Sequence, residues 1–183
     1  MTLTYSAMLE LGTELPSFKL FNTITDQEFD SNSLSSEKGK VIMFICNHCP
    51  FVIHYHEQLV KLYQDYADKL EFVAISSNDV LEYPQDAPEK MTELFAKLGL
   101  DFPYLYDESQ EIAKKYHAVC TPEFYLFSAD NKLIYRGRFD DSSPNNGKIA
   151  TGSEFRAALD DFLSNKPISE QQLPSMGCNI KWK

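Results

Sequence analysis

The sequence lacks any long apolar segment. Nowhere in its 183 residues does an apolar run approach the ~18 continuous residues that a transmembrane helix needs. The first stretch, MTLTYSAMLELGTELPSF, also lacks a basic start followed by an apolar core, so it does not have the pattern of a secretory signal. We therefore expect no membrane partner and a cytoplasmic location, a compartment that keeps thiols reduced.

Basic residues are scarce relative to acidic ones, and cysteine is limited to four. Lys and Arg total 17 against 27 Asp and Glu, so a net charge of -10 argues against nucleic acid as a main partner. A chain of this length buries roughly 70% of its unfolded surface and does not need disulfides to fold. In a reducing compartment the cysteines are therefore candidates for catalysis or metal binding.

The chain contains no internal repeat and no low-complexity tract, and its length fits a single domain over residues 1–183. We divide it into an irregular lead-in (1–17), a core (18–165) and a tail (166–183). The tail shows no clear secondary structure after Pro167.

The pattern of apolar residues predicts an α/β fold. The β-rich run at 40–46 (KVIMFIC) indicates a strand buried on both faces. A helical stripe then repeats at steps of 3 and 4, through Val52, Tyr55, Leu59, Leu62 and Tyr66. Further strands are predicted at 18–21, 27–29, 71–75, 104–106, 122–128 and 132–139, and further helices at 89–98, 108–116 and 153–163, the last capped by Ser153. Strands alternating with helices predict a mixed central sheet with helices on both faces.

The stretch FICNHCPFV, residues 44–52, places Cys46 and Cys49 at a strand-to-helix junction. The positively polarised N-terminus of a helix favours a thiolate. We expect an exposed Cys46 to attack and Cys49, one turn behind, to resolve the mixed disulfide. His48 adds a cation or an N–H beside the pair, so we expect the Cys46 pKa to lie below ~7.

This strand–CxxC–helix unit resembles that of thioredoxin-fold proteins, and a second match lies at Thr121-Pro122 before the strand PEFYLF. In that family a Thr-Pro or similar dipeptide with a cis peptide bond faces the CxxC. The resemblance covers roughly residues 18–165. The lead-in hairpin and the insert at 77–103 resemble the redoxin branch, the alkyl hydroperoxide reductase/thiol-specific antioxidant superfamily. The forms CNHCPFV and GCNIKWK resemble a "thioredoxin family protein" group within it.

The resemblance implies a thioredoxin-like fold with an N-terminal β extension and a central insert. It also implies a thiol–disulfide oxidoreductase that needs no organic cofactor and no metal. Cys46 and Cys49 carry the chemistry, and His48, Pro50, Cys120, Thr121 and Pro122 support it. The implied partners are protein disulfide substrates and a recycling thiol reductase. The oligomeric state is left open.

The sequence departs from thioredoxins proper at three places. Ile45 stands where they have Trp, Asn47-His48 replaces Gly-Pro, and Lys40 occupies the place of their buried proton-shuttling Asp. The proton acceptor for Cys49 is therefore open, with Glu123 and His48 as candidates.

The other two cysteines permit several roles. Cys120 is a third redox thiol, a metal ligand or a buried idle thiol. Cys178, in the tail, either folds back over the active site or has no redox part.

Two alternative functions follow from the same residues. A peroxiredoxin-like peroxidase needs a Pro-x-x-x-Thr-x-x-Cys pattern, which neither Cys46 nor Cys49 has, although Arg136 or Arg138 could supply the guanidinium. A copper-binding protein of this fold would use Cys46, Cys49 and His117, but its cysteine spacing is usually one residue longer.

Overall fold

The computed structural model describes residues 3–183; residues 1 and 2 of the predicted lead-in lie outside this part. The described strands are β1 (Leu3–Tyr5), β2 (Lys19–Asn22), β3 (Gln27–Asp30), β4 (Gly39–Phe44), β5 (Leu70–Ser76), β6 (Tyr104–Tyr106), β7 (Cys120–Thr121), β8 (Glu123–Phe127), β9 (Leu133–Gly137) and β10 (Met176–Asn179). The described helices are α1 (Pro50–Tyr66), α2 (Pro88–Leu98), α3 (Glu111–Lys115) and α4 (Ser153–Leu163), with 3-10 turns at Ser31–Ser33 and Pro84–Asp86.

The central sheet has seven strands in the order β3-β2-β6-β5-β4-β8-β9. β5 runs parallel to both β4 and β6, while β8 pairs antiparallel with β4. The parallel β4–α1–β5 unit arises because a helix must carry the chain back to the same end of the sheet. The predicted mixed α/β sheet is therefore confirmed.

Side chains of β4 alternate between two apolar layers, as the period of a strand requires. Val41 and Met43 face the layer that also receives α1, α2 and α4, and Ile42 and Phe44 face the layer that receives α3. Helices thus cover both faces of the sheet. The chain leaves the end of β4 between these two layers and continues to Cys46.

The helical predictions hold in type, but α3 spans only Glu111–Lys115, shorter at both ends than the predicted 108–116. Val52, Tyr55, Leu59, Leu62 and Tyr66 form the buried stripe of α1, and α2 ends at Gly99, whose φ of 69° suits a left-handed C-cap. The prediction that Ser153 caps α4 is wrong, because Gly152 is the N-cap. The backbone carbonyl of Phe139 accepts the N–H of Phe155 in the first turn at 3.1 Å, the kind of bond that a capping side chain would otherwise make.

The two ends of the chain form a second, three-stranded sheet in the order β1-β10-β7. The expectations of an irregular lead-in and a structureless tail are therefore wrong at Leu3–Tyr5 and Met176–Asn179. β10 pairs antiparallel with β7, so that Cys178 lies opposite Thr121. Gly177 permits this approach, since a Cβ there would lie 1.9 Å from the Thr121 carbonyl oxygen.

Within residues 3–183, the helices lack the combination of length and apolar character that crossing a bilayer requires.

Candidate active site

The site forms where β4 ends and α1 begins. The backbone leaves β4 at Phe44, turns through Cys46, and enters the helix at Pro50, with Cys49 as the extended N-cap residue. Proline suits this first helical position because its missing N–H would have no intrahelical partner there. The junction predicted from FICNHCPFV is confirmed, but Cys49, rather than Cys46, occupies the cap.

All four cysteines are free thiols in this structure and all are buried, with between 0 and 2% of each residue exposed. Cys46 is 1% exposed, so the expectation of an exposed attacking sulfur is wrong for this conformation. The junction is covered because two other parts of the chain converge on it. One is the turn at Pro84–Asp86, and the other is the pair of short strands β7 and β10.

Cys49 is the centre of the sulfur contacts. Its Sγ lies 3.0 Å from the Sγ of Cys178, and 3.2 Å from the carbonyl oxygen of Thr121, to which the thiol donates when protonated. The Sγ of Cys46 lies 3.5 Å from the hydroxyl of Thr121. Thr121 therefore contacts both sulfurs of the CxxC pair, one through its backbone and one through its side chain.

These contacts determine where a negative charge is held. Hydrogen bonds from Cys178 and Cys46, with a smaller contribution from the Val52 backbone N–H in the first turn of α1, lower the pKa of Cys49 far below its ordinary value. The same Cys49 contact, burial and the charge of Asp86 raise the pKa of Cys46. The expectation of a lowered Cys46 pKa is therefore wrong, because the helix terminus and the neighbouring thiols stabilise charge at Cys49.

A buried carboxylate from the central insert reaches the CxxC loop. Asp86 is fully buried, and its Oδ1 accepts the backbone N–H groups of Asn47 and His48 at 2.8 and 3.3 Å. Its Oδ2 lies 2.6 Å from Nδ1 of His48 and accepts the side-chain N–H of Asn78 at 2.8 Å. Asp86 thus fixes both the backbone and the imidazole of the spacer between the cysteines.

The imidazole of His48 is held on its other face as well. Its ring stacks on Tyr83 at 5.4 Å between centroids with an interplanar angle of 10°. Its Nε2 is buried and, among residues 3–183, has no hydrogen-bond partner. Sequence reasoning named His48 but missed Asp86 and Tyr83, because a polar loop with two prolines carries no sign of where its side chains fold.

Cys120 and Glu123 form a separate buried group. Glu123 accepts the thiol of Cys120 at 3.4 Å and the backbone N–H groups of Val119 and Cys120 at 2.8 and 3.0 Å. Burial raises the pKa of Glu123, and burial together with that carboxyl raises the pKa of Cys120. Glu123, a candidate proton acceptor for Cys49, hydrogen-bonds the Cys120 thiol in this structure.

The predicted cis bond between Thr121 and Pro122 is present. The hydroxyl and carbonyl of Thr121 lie beside the two sulfurs. Pro50 begins α1 and is exposed.

Other charged candidates lie away from the sulfurs. Lys40 is buried, but its Nζ donates to the carbonyl of Ala129 at 2.6 Å in the β8–β9 hairpin. Arg136 donates to Leu9 O and Gln172, and Arg138 pairs with Glu154 at 2.6 Å. Neither arginine therefore serves as the guanidinium of the peroxidase alternative in this conformation.

A metal could meet one group of donors here. Ligand atoms of Cys46, His48 and Asp86 lie within 4.8 Å of one another. His117, the distant ligand of the copper alternative, is exposed at the end of α3 with a φ of 52°, outside that group. Asp86 already accepts N–H donors on both oxygens. The arrangement is that of a hydrogen-bonded Asp86–His48 pair with the Cys46 thiol nearby.

Comparison with known proteins agrees with this geometry. The Redoxin family model matches residues 10–152. This chain belongs to the Redoxin family. No curated protein sequence matches it.

Two solved structures are similar to nearly the whole length of this Redoxin-family chain, and a third is similar to most of it. An uncharacterized conserved protein from Geobacillus kaustophilus is 51% identical with a TM-score of 0.96, over 100% of this chain and 97% of that one. A hypothetical protein from Sinorhizobium meliloti is 41% identical with a TM-score of 0.94, over 98% of each chain. The C-terminal domain of a putative thiol-disulfide oxidoreductase from Bacteroides thetaiotaomicron, 20% identical with a TM-score of 0.65, covers 85% of this chain and 97% of its own.

The last of these similarities shows the thioredoxin-like fold alone. Together with the Redoxin assignment and the clustered thiols, it identifies the chain as a redox protein of the thioredoxin-like class, as the sequence resemblance implied.

Proposed function

We propose that this protein is a thiol–disulfide oxidoreductase in which Cys46 and Cys49 form the exchanging pair. The observation that carries the proposal is the position of Thr121 against both sulfurs at the start of α1, with its hydroxyl 3.5 Å from the Sγ of Cys46 and its carbonyl oxygen 3.2 Å from the Sγ of Cys49. A dithiol at a helix N-terminus can alternate between two thiols and one disulfide without an organic cofactor.

The two thiols have different roles. Cys46 precedes the helix and attacks a substrate disulfide, forming a mixed disulfide and releasing one substrate thiolate. The Cys49 thiolate, stabilised at the helix cap, then attacks the sulfur of Cys46 and releases the second substrate thiolate. Because Cys46 is 1% exposed, the first step requires local opening of the 45–49 loop.

His48 is placed to handle the proton of Cys46. Asp86 holds Nδ1 at 2.6 Å, which leaves the partnerless Nε2 free to exchange a proton. Ligand atoms of His48 and Cys46 lie within 4.8 Å of each other, so the imidazole is close enough to receive that proton when the loop moves.

The partners that fit this chemistry are protein disulfides as substrates and a thiol reductase that returns the pair to its reduced form. We propose that the protein acts in the cytoplasm, where such reductants are available.

The test is reduction of insulin disulfides by a dithiol reductant, with and without the protein. Wild type should accelerate precipitation of the insulin B chain, and Cys46→Ser should lower the rate to background. Cys49→Ser should retain the first step and accumulate a mixed disulfide visible by mass spectrometry. Full activity of Cys46→Ser would contradict the proposal.

A further inference from the structure

The sulfur of Cys178 is placed directly against the sulfur of Cys49. Their Sγ atoms are 3.0 Å apart. A disulfide bond is about 2.05 Å long, so bond formation needs an approach of only about 1 Å. A long-range contact of this kind joins the first turn of α1 to the C-terminal tail.

The fold builds this contact through the backbone. β10 pairs with β7 so that Cys178 lies opposite Thr121, the residue whose carbonyl is 3.2 Å from Cys49. On its other side β10 pairs with β1, where Leu3 is opposite Cys178. Gly177 removes the side chain that would otherwise hold β10 away from β7. The position of Cys178 is therefore fixed on both edges of its strand.

We propose that Cys178 is a third redox thiol, which accepts the disulfide from the Cys46–Cys49 pair and stores it as a Cys49–Cys178 bond. This proposal rests on the proposed function and adds a second exchange to it.

The internal step moves a bond without a net change in electrons. The Cys178 thiolate attacks the sulfur of Cys49, the Cys49–Cys178 bond forms, and the Cys46–Cys49 bond breaks. Cys46 leaves as a thiolate and takes up the proton that Cys178 released. The product holds one buried Cys49–Cys178 disulfide and a free Cys46 thiol.

An external dithiol reductant then restores the three thiols. One of its thiolates attacks Cys178, forming a mixed disulfide and releasing Cys49 as a thiolate. Its second thiol displaces Cys178, and the reductant leaves as a disulfide, having supplied two electrons and two protons. A thiol that is stable as a thiolate leaves faster, and in this step the Cys46 thiol and the Val52 backbone N–H still stabilise a thiolate at Cys49.

The surroundings of the Cys49–Cys178 disulfide favour attack at Cys178. Cys178 lines a cavity of about 370 Å³ together with Phe51, Met176 and Gly177. Cys178 thus borders a cavity that an incoming thiol could enter, whereas Cys46 lies under the loop that Asp86 holds.

Cys120 provides a matched control. It is as buried as Cys178 and lies next along β7, but its thiol donates to Glu123 at 3.4 Å. It should take no part in the exchange.

The experiment maps disulfides by mass spectrometry after oxidation of the intact protein with oxidised glutathione and digestion under non-reducing conditions. Cys46→Ser, which retains both proposed partners, should form an intramolecular Cys49–Cys178 bond and lose two free thiols. The same bond should form in Cys46→Ser/Cys120→Ser and be absent in Cys46→Ser/Cys178→Ser. If Cys49 and Cys178 both stay free in Cys46→Ser under conditions that oxidise wild type, the proposal is wrong.

Turnover separates this inference from the proposed function. With a dithiol reductant, Cys178→Ser should still reduce insulin in a single round, because Cys46 and Cys49 remain, and its rate over many rounds should fall further below wild type than its single-round rate does. Equal single-round and multiple-round rates for wild type and Cys178→Ser would overturn the relay and leave the Cys46–Cys49 pair standing. If wild type is inactive on insulin while Cys46→Ser still forms the Cys49–Cys178 bond, the proposed function is overturned. Cys178 then remains a redox thiol.

Discussion

The carboxylate of Asp86 is hydrogen-bonded to Nδ1 of His48 at 2.6 Å, inside the loop that separates the two cysteines of the CxxC motif. Asp86 is fully buried at the end of a 3-10 turn in the central insert, more than thirty residues along the chain from His48. Such a buried carboxylate needs donors on both oxygens, and Asn47, His48 and Asn78 supply them. The insert thus carries a charge into the active site.

Removal of that charge should change the reactivity of Cys46. Asp86 raises the pKa of the Cys46 thiol, so Asp86→Asn should lower it. The rate of Cys46 alkylation by iodoacetamide, followed by mass spectrometry across pH, should therefore rise at a lower pH than in wild type. The lost charged hydrogen bonds should also destabilise the fold by roughly 1–3 kcal/mol.

Asp79→Asn is the control for this experiment, because Asp79 lies in the same insert and bonds the backbone N–H of Leu81. Its alkylation profile should follow wild type. A profile of Asp86→Asn that moves to higher pH would contradict the prediction that Asp86 raises the pKa of Cys46.

Burial of Glu123 should make stability depend on pH. Burial in the folded state raises the pKa of this carboxyl above its ordinary value, so folding favours the protonated form. Its contribution is fully present below the unfolded pKa and is lost as pH rises through the folded pKa. The glutamine of Glu123→Gln does not ionise. The free energy of unfolding of this variant should therefore increase relative to that of wild type as pH rises above about 4.5.

Urea unfolding at a series of pH values measures this difference. Glu108→Gln, an exposed position, serves as the control and should show a constant offset from wild type. A constant offset for Glu123→Gln as well would mean that Glu123 ionises normally in the folded protein.

The strand–CxxC–helix junction could be predicted because its evidence is local. The run at 40–46 and the stripe of α1 each follow a period that the sequence displays, and the Thr121-Pro122 turn precedes a β-rich run. The sequence alone also supplied the two cysteines at the junction.

The pairing of the chain ends and the burial of the site were not predictable in this way. β10 contains only Met176–Asn179 and pairs with strands at distant positions, so no local pattern reports it. The prediction that the pKa of Cys46 is lowered was wrong for the same reason, because the structure lowers the pKa of Cys49 instead. It depends on Cys178, Asp86 and Thr121, which come from three other parts of the chain.

Hydrogen peroxide should oxidise the reduced protein slowly. Fast peroxidases need a thiolate beside a cation, whereas the pKa of Cys46 is raised and Arg136 and Arg138 are engaged elsewhere. Stopped-flow mixing with peroxide should give a second-order rate near that of free cysteine. The control is Cys46→Ser/Cys49→Ser, which should lose only the small rate that the pair contributes. A fast phase that disappears in this double variant would favour the peroxidase alternative.

Gly177→Ala should separate β10 from β7 and slow the exchange between Cys49 and Cys178. The added Cβ would meet the Thr121 carbonyl oxygen at 1.9 Å, a backbone atom that cannot rotate away, so the strands must part. Overpacking of this kind typically destabilises by 1–3 kcal/mol, or roughly a few degrees of melting temperature in a protein of this size. In the Cys46→Ser background, the substitution should also reduce the yield of the Cys49–Cys178 disulfide under oxidised glutathione.

Gly39→Ala is the matched control, since its Cβ would meet the side chain of Phe162 at 2.5 Å at the other end of β4. That variant should lose stability while keeping the yield of the disulfide, because β10 and β7 stay paired. If Gly177→Ala formed the bond as readily as its parent, the close approach of the two strands would not be what holds Cys178 against Cys49.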